Sequence, residues 1–229
     1  MVSCQAAKRS FMKKKKKLRF ERARQPEQIE QRLEQILEAA MVLFWEKGLE
    51  NVTLTDIGNK AGTAKSNLYR YFESREHIYL VTLQKVAADW EKKIRAQLQE
   101  LAGKGTVSKV ADMITDSFIQ ARPYSGLITV INTVLEKKLS PKLVANFRSA
   151  FLERRKRISA DLAAALPGAT AEAIFPLTLH IFTHVAGLWP LCHPSPSSQK
   201  MLEEPEFAHL NLNFKVEMSN FLRVLLKGF

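Results

Sequence analysis

Apolar residues recur every three or four positions along nearly all of this 229-residue chain, a period that suits helices and little else. Ile29, Leu33, Ile36, Leu37, Ala40 and Phe44 form one stripe, and Leu83, Ala87, Trp90, Ile94, Leu98 and Leu101 another. Each stripe must bury one helix face against a neighbour, so the expected fold class is all-α. Pro26 suits a first helical position, with Glu27 and Glu30 at the positive end of the dipole, and Gly48 closes that helix. Thr53-x-x-Asp56 reads as a capping box with Asp in place of Glu or Gln, opening a short helix that Gly62 ends. A third short helix is expected over roughly 65–71, and Ser74 can cap a fourth. AGKGTVS at 102–108 breaks the pattern. Beyond it helices are expected near 108–121, 126–138, 142–166 and 170–190, separated by RPYSG, LSP and LPGAT, with CHPSPSSQ (192–199) as a loop. Leu210, Leu212, Phe214, Val216 and Met218 alternate as a strand would. However, Phe207, Leu210, Phe214, Met218, Phe221 and Leu225 keep the helical step, and Pro205 favours a helix over 207–226.

Charge narrows the partner. The net charge is +12, which favours a polyanion. Residues 1–24 hold ten Lys and Arg against one acid, Glu21, so residues 1–25 are expected to be a disordered basic arm beside a nearly balanced body. Cys4 and Cys192 lie far apart and make no disulfide framework, which places the chain in a reducing cytoplasm. The lysines are followed by LRFERARQPEQIEQR rather than an apolar run, so a secretory signal is not expected. AIFPLTLHIFTHVAGLWPLC (173–192) has no Asp, Glu, Lys or Arg. Yet Pro176, His180, Thr183, His184 and Gly187 share one helical stripe, as in a buried helix with a polar or small-residue face rather than a membrane span.

Residues 53–72 read as two short helices joined by a tight turn, the requirement for a helix-turn-helix. Ile57, Ala61, Leu68 and Phe72 are spaced to pack inward, leaving Thr55, Lys65, Ser66, Asn67, Tyr69, Arg70 and Tyr71 outside. Asn pairs bidentately with adenine and Lys or Arg with guanine, while Thr, Ser and Tyr hold phosphates. Periodicity alone also allows a small three-helix core with a solvated polar face.

The residues themselves go further. ILEAAMVLFWEKGLENVTLTDIGNKAGTAKSNLYRYFESREHI (36–78) resembles the N-terminal domain of the TetR family of bacterial transcriptional regulators. The match runs in order through Ile36, Leu37, Ala39, Ala40, Phe44, Gly48, Thr53, Asp56, Ile57, Ala61, Gly62, Leu68, Tyr69, Tyr71, Phe72, Ser74, Arg75 and Glu76. The resemblance implies that Tyr69, Arg75 and Thr55 grip phosphates, and that Lys65, Ser66, Asn67, Arg70 and Tyr71 face base edges or the adjacent backbone. It also implies a homodimer whose last two helices, from the apolar 173–191 and 207–226 segments, form a four-helix interface. Two recognition helices would then lie about one DNA turn apart on a near-palindromic operator. An unidentified small-molecule effector would bind in the larger domain.

Four positions depart from the family pattern. Gly58 stands where Ala is usual, and should loosen the second helix by up to about 1 kcal/mol. Ala64 stands where a serine would cap the recognition helix, and Thr63, in place of an apolar residue, is set to take over part of that cap. Arg75 replaces the usual Lys and keeps a phosphate-binding cation.

The remaining features have plainer readings. His180 and His184, at i and i+4, have two-histidine metal geometry, but two ligands do not make a site, so no metal and no cofactor are expected. In a ligand pocket, His180, His184 and Trp189 are candidate lining. Arg154, Arg155, Lys156 and Arg157 read as a solvated face. The chain has no phosphate-cradling Gly-rich loop, nucleophile elbow or HExxH, so no enzyme is expected. The expectation is therefore a helix-turn-helix DNA-binding domain over 26–74 and a helical effector-binding and dimerisation domain over 75–229. Its function would be ligand-controlled DNA binding. An architectural DNA-binding protein on the same fold, or a metal sensor using His180 and His184, are the alternatives.

Overall fold

The computed structural model of the chain describes residues 26–131 and 135–228; the basic arm lies outside the described residues. All regular structure among them is helical. The helices are α1 (Pro26–Lys47), α2 (Leu54–Lys60), α3 (Lys65–Leu68), α4 (Arg75–Glu100), α5 (Val107–Gln120), α6 (Arg122–Ile128), α7 (Pro141–Ala165), α8 (Ala171–Cys192), α9 (Pro196–Leu202) and α10 (Phe214–Leu225). The chain divides into units 1–35 and 36–229; the first holds the opening turns of α1, and everything below concerns the second.

Side-chain caps set most helix starts by satisfying amides that lack an intrahelical acceptor. Thr53 and Asp56 form the expected reciprocal box, and Ser74 accepts from the His77 amide at 3.1 Å. Thr106, Thr170, Ser195 and Asn213 cap α5, α8, α9 and α10 in the same way. The caps also explain where the periodicity misplaces elements. RPYSG is not a separator but the first turns of α6, because Pro123 sits in the opening turn, where it costs no hydrogen bond. The helix expected over 126–138 ends at Ile128, with a 3-10 turn at Glu136–Lys138. CHPSPSSQ contains α9, and α8 runs on through Pro190 to Cys192. Pro205 opens no helix: a 3-10 turn covers Ala208–Leu210, and α10 waits for Asn213, whose side chain accepts from the Val216 amide at 3.2 Å.

α4 is the axis of the core. Trp90 stacks on Phe118 with centroids 4.8 Å apart and meets Tyr124 at 5.0 Å and Phe182 at 5.7 Å, drawing α5, α6 and α8 around one ring. Its indole N–H donates to Ser117 Oγ at 3.0 Å, so the buried polar tip is satisfied. α7 packs along α4 and α8. Its basic run is not the solvated face expected. Arg154 is buried and donates its Nε–H to Glu91 on α4 at 3.1 Å, and Arg157 donates to the same carboxylate at 2.6 and 3.1 Å. Arg155 donates to Thr178 Oγ1 and the Phe175 carbonyl, both at 2.9 Å, and lies over the Phe175 ring. Lys156, which pairs with Glu153 on the surface, matches the expectation, and Arg157 matches it in part, being exposed although it reaches in to Glu91. Residues about 100° apart around one helix face different neighbours, so a run of like charges splits between α4, α8 and water.

α8 is long and apolar enough to cross a membrane by length and composition. Here Ile174, Thr178, Ile181, Phe182, Val185, Leu188 and Trp189 are buried within the protein.

Glu91 is a lone carboxylate between two guanidinium groups. Burial pushes its carboxyl up, but hydrogen bonds and charge from Arg157 and Arg154 more than offset this and leave it below 4.5. A depressed acid stabilises the fold above its unfolded value, and that contribution is lost as pH falls through the folded value. Glu91→Gln should therefore lower the unfolding free energy at neutral pH by about 3 kcal/mol or more, because two cations lose their counter-charge. The deficit relative to wild type should shrink in acid, as read by denaturant titration across pH.

Candidate nucleic-acid interface

α2 and α3 meet through a turn built for close approach. Gly62 takes φ 65°, and the Thr63 amide donates to the Gly58 carbonyl at 2.8 Å. A Cβ on Gly58 would stand 2.8 Å from the Thr63 carbonyl oxygen. The glycine expected to loosen α2 thus also makes room for the turn behind the recognition helix. Ile57, Leu68 and Phe72 are buried as their spacing predicts, and Ala61 is half-buried. Lys47 reaches Asp56 at 3.4 Å and Lys60 reaches Glu46 at 2.7 Å, tying α1 to α2.

Above that core lies a polar surface without an acid in α3. Thr55, Lys65, Ser66, Tyr69 and Arg70 are exposed, while Asn67 and Tyr71 are half-buried. Tyr69 is 55% exposed, and Lys65 Nζ lies 5.9 Å from its ring centroid. The start of α3 differs from expectation. Ala64 provides no side-chain cap, and Thr63 does not replace it: Thr63 is buried, and its hydroxyl accepts from Asn67 Nδ2 at 3.4 Å.

Arg75 stands apart from the other candidates. Its guanidinium does not point outward but donates to the carbonyls of Leu49 (3.0 Å) and Val52 (2.5 Å), and to Glu76 Oε1 at 2.6 Å. The loop after α1 leaves these carbonyls without helical partners, and a planar fork of donors matches them. The resemblance suggested a cation at this position; the two acceptors more than twenty residues upstream left no local sequence signal. The following His77 accepts from the Glu73 amide through Nδ1 at 3.1 Å, and burial holds its pKa below 6.5.

A cavity of about 290 Å³ opens in the helical body, bounded by Leu83 and Ala87 of α4, Tyr124 and Ile128 of α6, Phe147, Arg148, Phe151 and Arg154 of α7, and Phe182 and Thr183 of α8. His180, His184 and Trp189 do not line it. His180 is exposed, His184 stacks on Phe221 with centroids 3.7 Å apart, and Trp189 stacks on His193 at 4.0 Å. Among the described residues no three His, Cys, Asp or Glu side chains converge as metal ligands would. Sequence reasoning missed the cavity because its walls come from four helices far apart in the chain.

Two family models match. The one described as bacterial regulatory proteins, tetR family, covers residues 36–82, and the one described as the tetracyclin repressor-like C-terminal domain covers 84–229. The HTH-type transcriptional regulator HbdR of Aromatoleum sp. is 33% identical over 76 residues, a third of each chain. The uncharacterised HTH-type regulator YvdT of Bacillus subtilis is 28% identical over 105 residues, 46% of this chain and 53% of YvdT. These matches thus span a third to about half the length of those relatives. Among solved structures, FadR of Bacillus subtilis in complex with stearoyl-CoA superposes with a TM-score of 0.55 at 14% identity, covering 86% of this chain and 98% of that one. A TetR/AcrR-family regulator from Thermobifida fusca gives 0.53 at 19% identity, covering 87% and 98%. At these identities the likeness is one of fold.

A salt titration separates the two roles of Arg75. Arg75→Gln should lower stability by about 1–3 kcal/mol through its orphaned carbonyls, and leave the slope of log affinity against log salt unchanged. A side chain that neutralised a phosphate would instead reduce that slope by about one.

Proposed function

The chain belongs to the TetR family of bacterial helix-turn-helix transcriptional regulators, and from that premise we propose that it is an effector-controlled repressor, binding a near-palindromic operator as a homodimer in the cytoplasm. The observation that carries the DNA-contacting part is the division of residues 62–72. Leu68 and Phe72 are buried beneath α3, while Lys65, Ser66, Tyr69 and Arg70 stand exposed together on its outer side. In this arrangement α3 enters the major groove, Lys65, Asn67 and Arg70 face base edges, and Thr55, Ser66, Tyr69 and Tyr71 hold backbone. Arg75 acts behind them as a positioning residue.

Dimerisation uses α8 and α10. Leu179 and Leu191 on α8, and Val216 and Val224 on α10, are 42%, 60%, 53% and 75% exposed, an apolar face that a second copy would cover. The effector occupies the cavity among α4, α6, α7 and α8. α6 reaches the reading head directly: a Cβ on Gly126 would stand 2.6 Å from the Trp45 ring, and the Arg122 guanidinium lies 4.9 Å from that ring's centroid. An effector then shifts DNA affinity by binding one arrangement of α4 and α6 better than another. The complex of Bacillus subtilis FadR with stearoyl-CoA supports an organic effector for a chain of this fold.

Footprinting on DNA flanking the protein's own gene should give a two-fold symmetric site, with protection lost when the effector is added. Asn67→Ala should relax preference at one base pair per half-site by about 1–3 kcal/mol. Tyr69→Phe should weaken all sites alike by about 1 kcal/mol. Exchanged phenotypes would reverse the assignment of these two residues, and an asymmetric footprint would remove the homodimeric reading.

A further inference from the structure

The cavity is apolar except for two buried polar groups left open to it. Arg154 is 7% exposed and gives Glu91 its Nε–H alone; its terminal NH₂ groups make no hydrogen bond among the described residues. Tyr124 is 2% exposed, and its hydroxyl likewise makes none among them. Burial raises the Tyr124 pKa well above 10.0, so the phenol remains a neutral donor. The described side-chain atoms sealed from solvent without a partner lie elsewhere, on Glu136, His184 and Trp189, so the free edges of Arg154 and Tyr124 remain accessible; both residues line this cavity, and Tyr124 also borders a second one beside Trp90 and Pro123. Other polar groups of the lining are engaged. The Thr183 hydroxyl donates to carbonyls of its own helix at 3.1 Å, and Arg148 at the rim pairs with Glu136 at 2.7 Å.

The charge balance points the same way. One carboxylate, Glu91, serves two guanidinium groups, and Arg157 holds it through two hydrogen bonds of its own. An anion beside Arg154 would complete the balance without stripping Glu91 of its partner, whereas a cation would be repelled and a neutral group would leave the charge uncompensated. The rest of the wall is hydrocarbon. Phe147 and Phe151 stack 6.3 Å apart, and Phe151 meets Phe182 edge-on at 5.1 Å. A volume of about 290 Å³ lies at the lower end of ligand cavities.

We propose that the effector is a small amphipathic carboxylate, its head group held by Arg154 and Tyr124 and its aromatic or short alkyl body packed among Phe147, Phe151 and Phe182. This rests on the effector-cavity assignment made above. The carboxylate accepts charge-assisted hydrogen bonds from the Arg154 terminal nitrogens and one from the Tyr124 hydroxyl, and it alone also balances the guanidinium charge, which the amide does not.

The test is calorimetric titration of the full chain with 3-phenylpropanoate and octanoate, each beside its primary amide, with operator release measured in parallel. The acids should bind about ten- to a hundredfold more tightly than the amides. Arg154→Met should erase that ratio while leaving amide affinity unchanged, since Glu91 keeps Arg157. Tyr124→Phe, which removes a hydroxyl with no internal partner and so should not impair folding, should reduce the ratio by a smaller factor. Equal affinity for acids and amides, no saturable binding of either acid at millimolar concentration, or an undiminished ratio in both variants would overturn the proposal. Amides that bind and release DNA as well as the acids would leave the effector cavity standing and remove only the carboxylate. Acids that bind with the expected ratio but do not alter DNA affinity would keep the carboxylate site and remove the effector role.

Discussion

The guanidinium of Arg75 joins the two halves of this protein's chemistry. It occupies the first position of α4, the helix whose Trp90 and Glu91 organise the core, and it donates to carbonyls of the segment between α1 and α2. Glu76 balances its charge from the same helix, and Lys138 approaches that carboxylate at 3.7 Å from the turn after α6. Hydrogen bonds from a rigid planar fork to fixed carbonyls resist reorientation better than the apolar contacts of a short helix pair would. The reading head is therefore held in register with α4 rather than hung from it.

A second tether makes that registration informative. α6 lies against Trp45 through Gly126 and Arg122, and it supplies Tyr124 and Ile128 to the cavity wall. At the rim, Glu136 holds Arg148; two residues later Lys138 approaches Glu76. The cavity wall and the contacts to the head thus share the same two helices, α4 and α6. Packed elements of this kind have discrete arrangements rather than continuous deformation, so on the proposed reading a ligand with differential affinity would select between them.

What was legible in the sequence follows from how local each determinant is. The caps of Thr53 and Ser74, the inward Ile57, Leu68 and Phe72, and the polar outer side of α3 are set by residues within a turn or two of one another, and the periodicity carries them. Pro123 and Pro196 fall in stretches read as a separator and a loop, but each lies in the first turn of a helix. The charges were the hardest. Arg154 and Arg157 find Glu91 more than sixty positions upstream, and Arg75 finds backbone carbonyls that no side chain announces. A basic run has the same appearance whether its partners are water or a buried acid, and only the fold distinguishes them.

The recognition helix shows why the reading surface can be chosen separately from the fold. α3 has four residues and no side-chain cap, too little for a helix to persist unaided. Its geometry is imposed from below by Leu68 and Phe72, and from behind by the Gly58–Thr63 contact. Lys65, Ser66, Tyr69 and Arg70 contribute little to that anchoring, since their side chains are exposed. On the proposed reading, substitution on the outer side would therefore change what is read at small cost to stability, whereas substitution at Gly58 or Leu68 would move the whole surface. Asn67 stands between the two regimes. Half-buried, with its Nδ2 donating to the Thr63 hydroxyl at 3.4 Å, it is a base-facing candidate whose side chain the core constrains, and bidentate recognition of a base would depend on such a constraint.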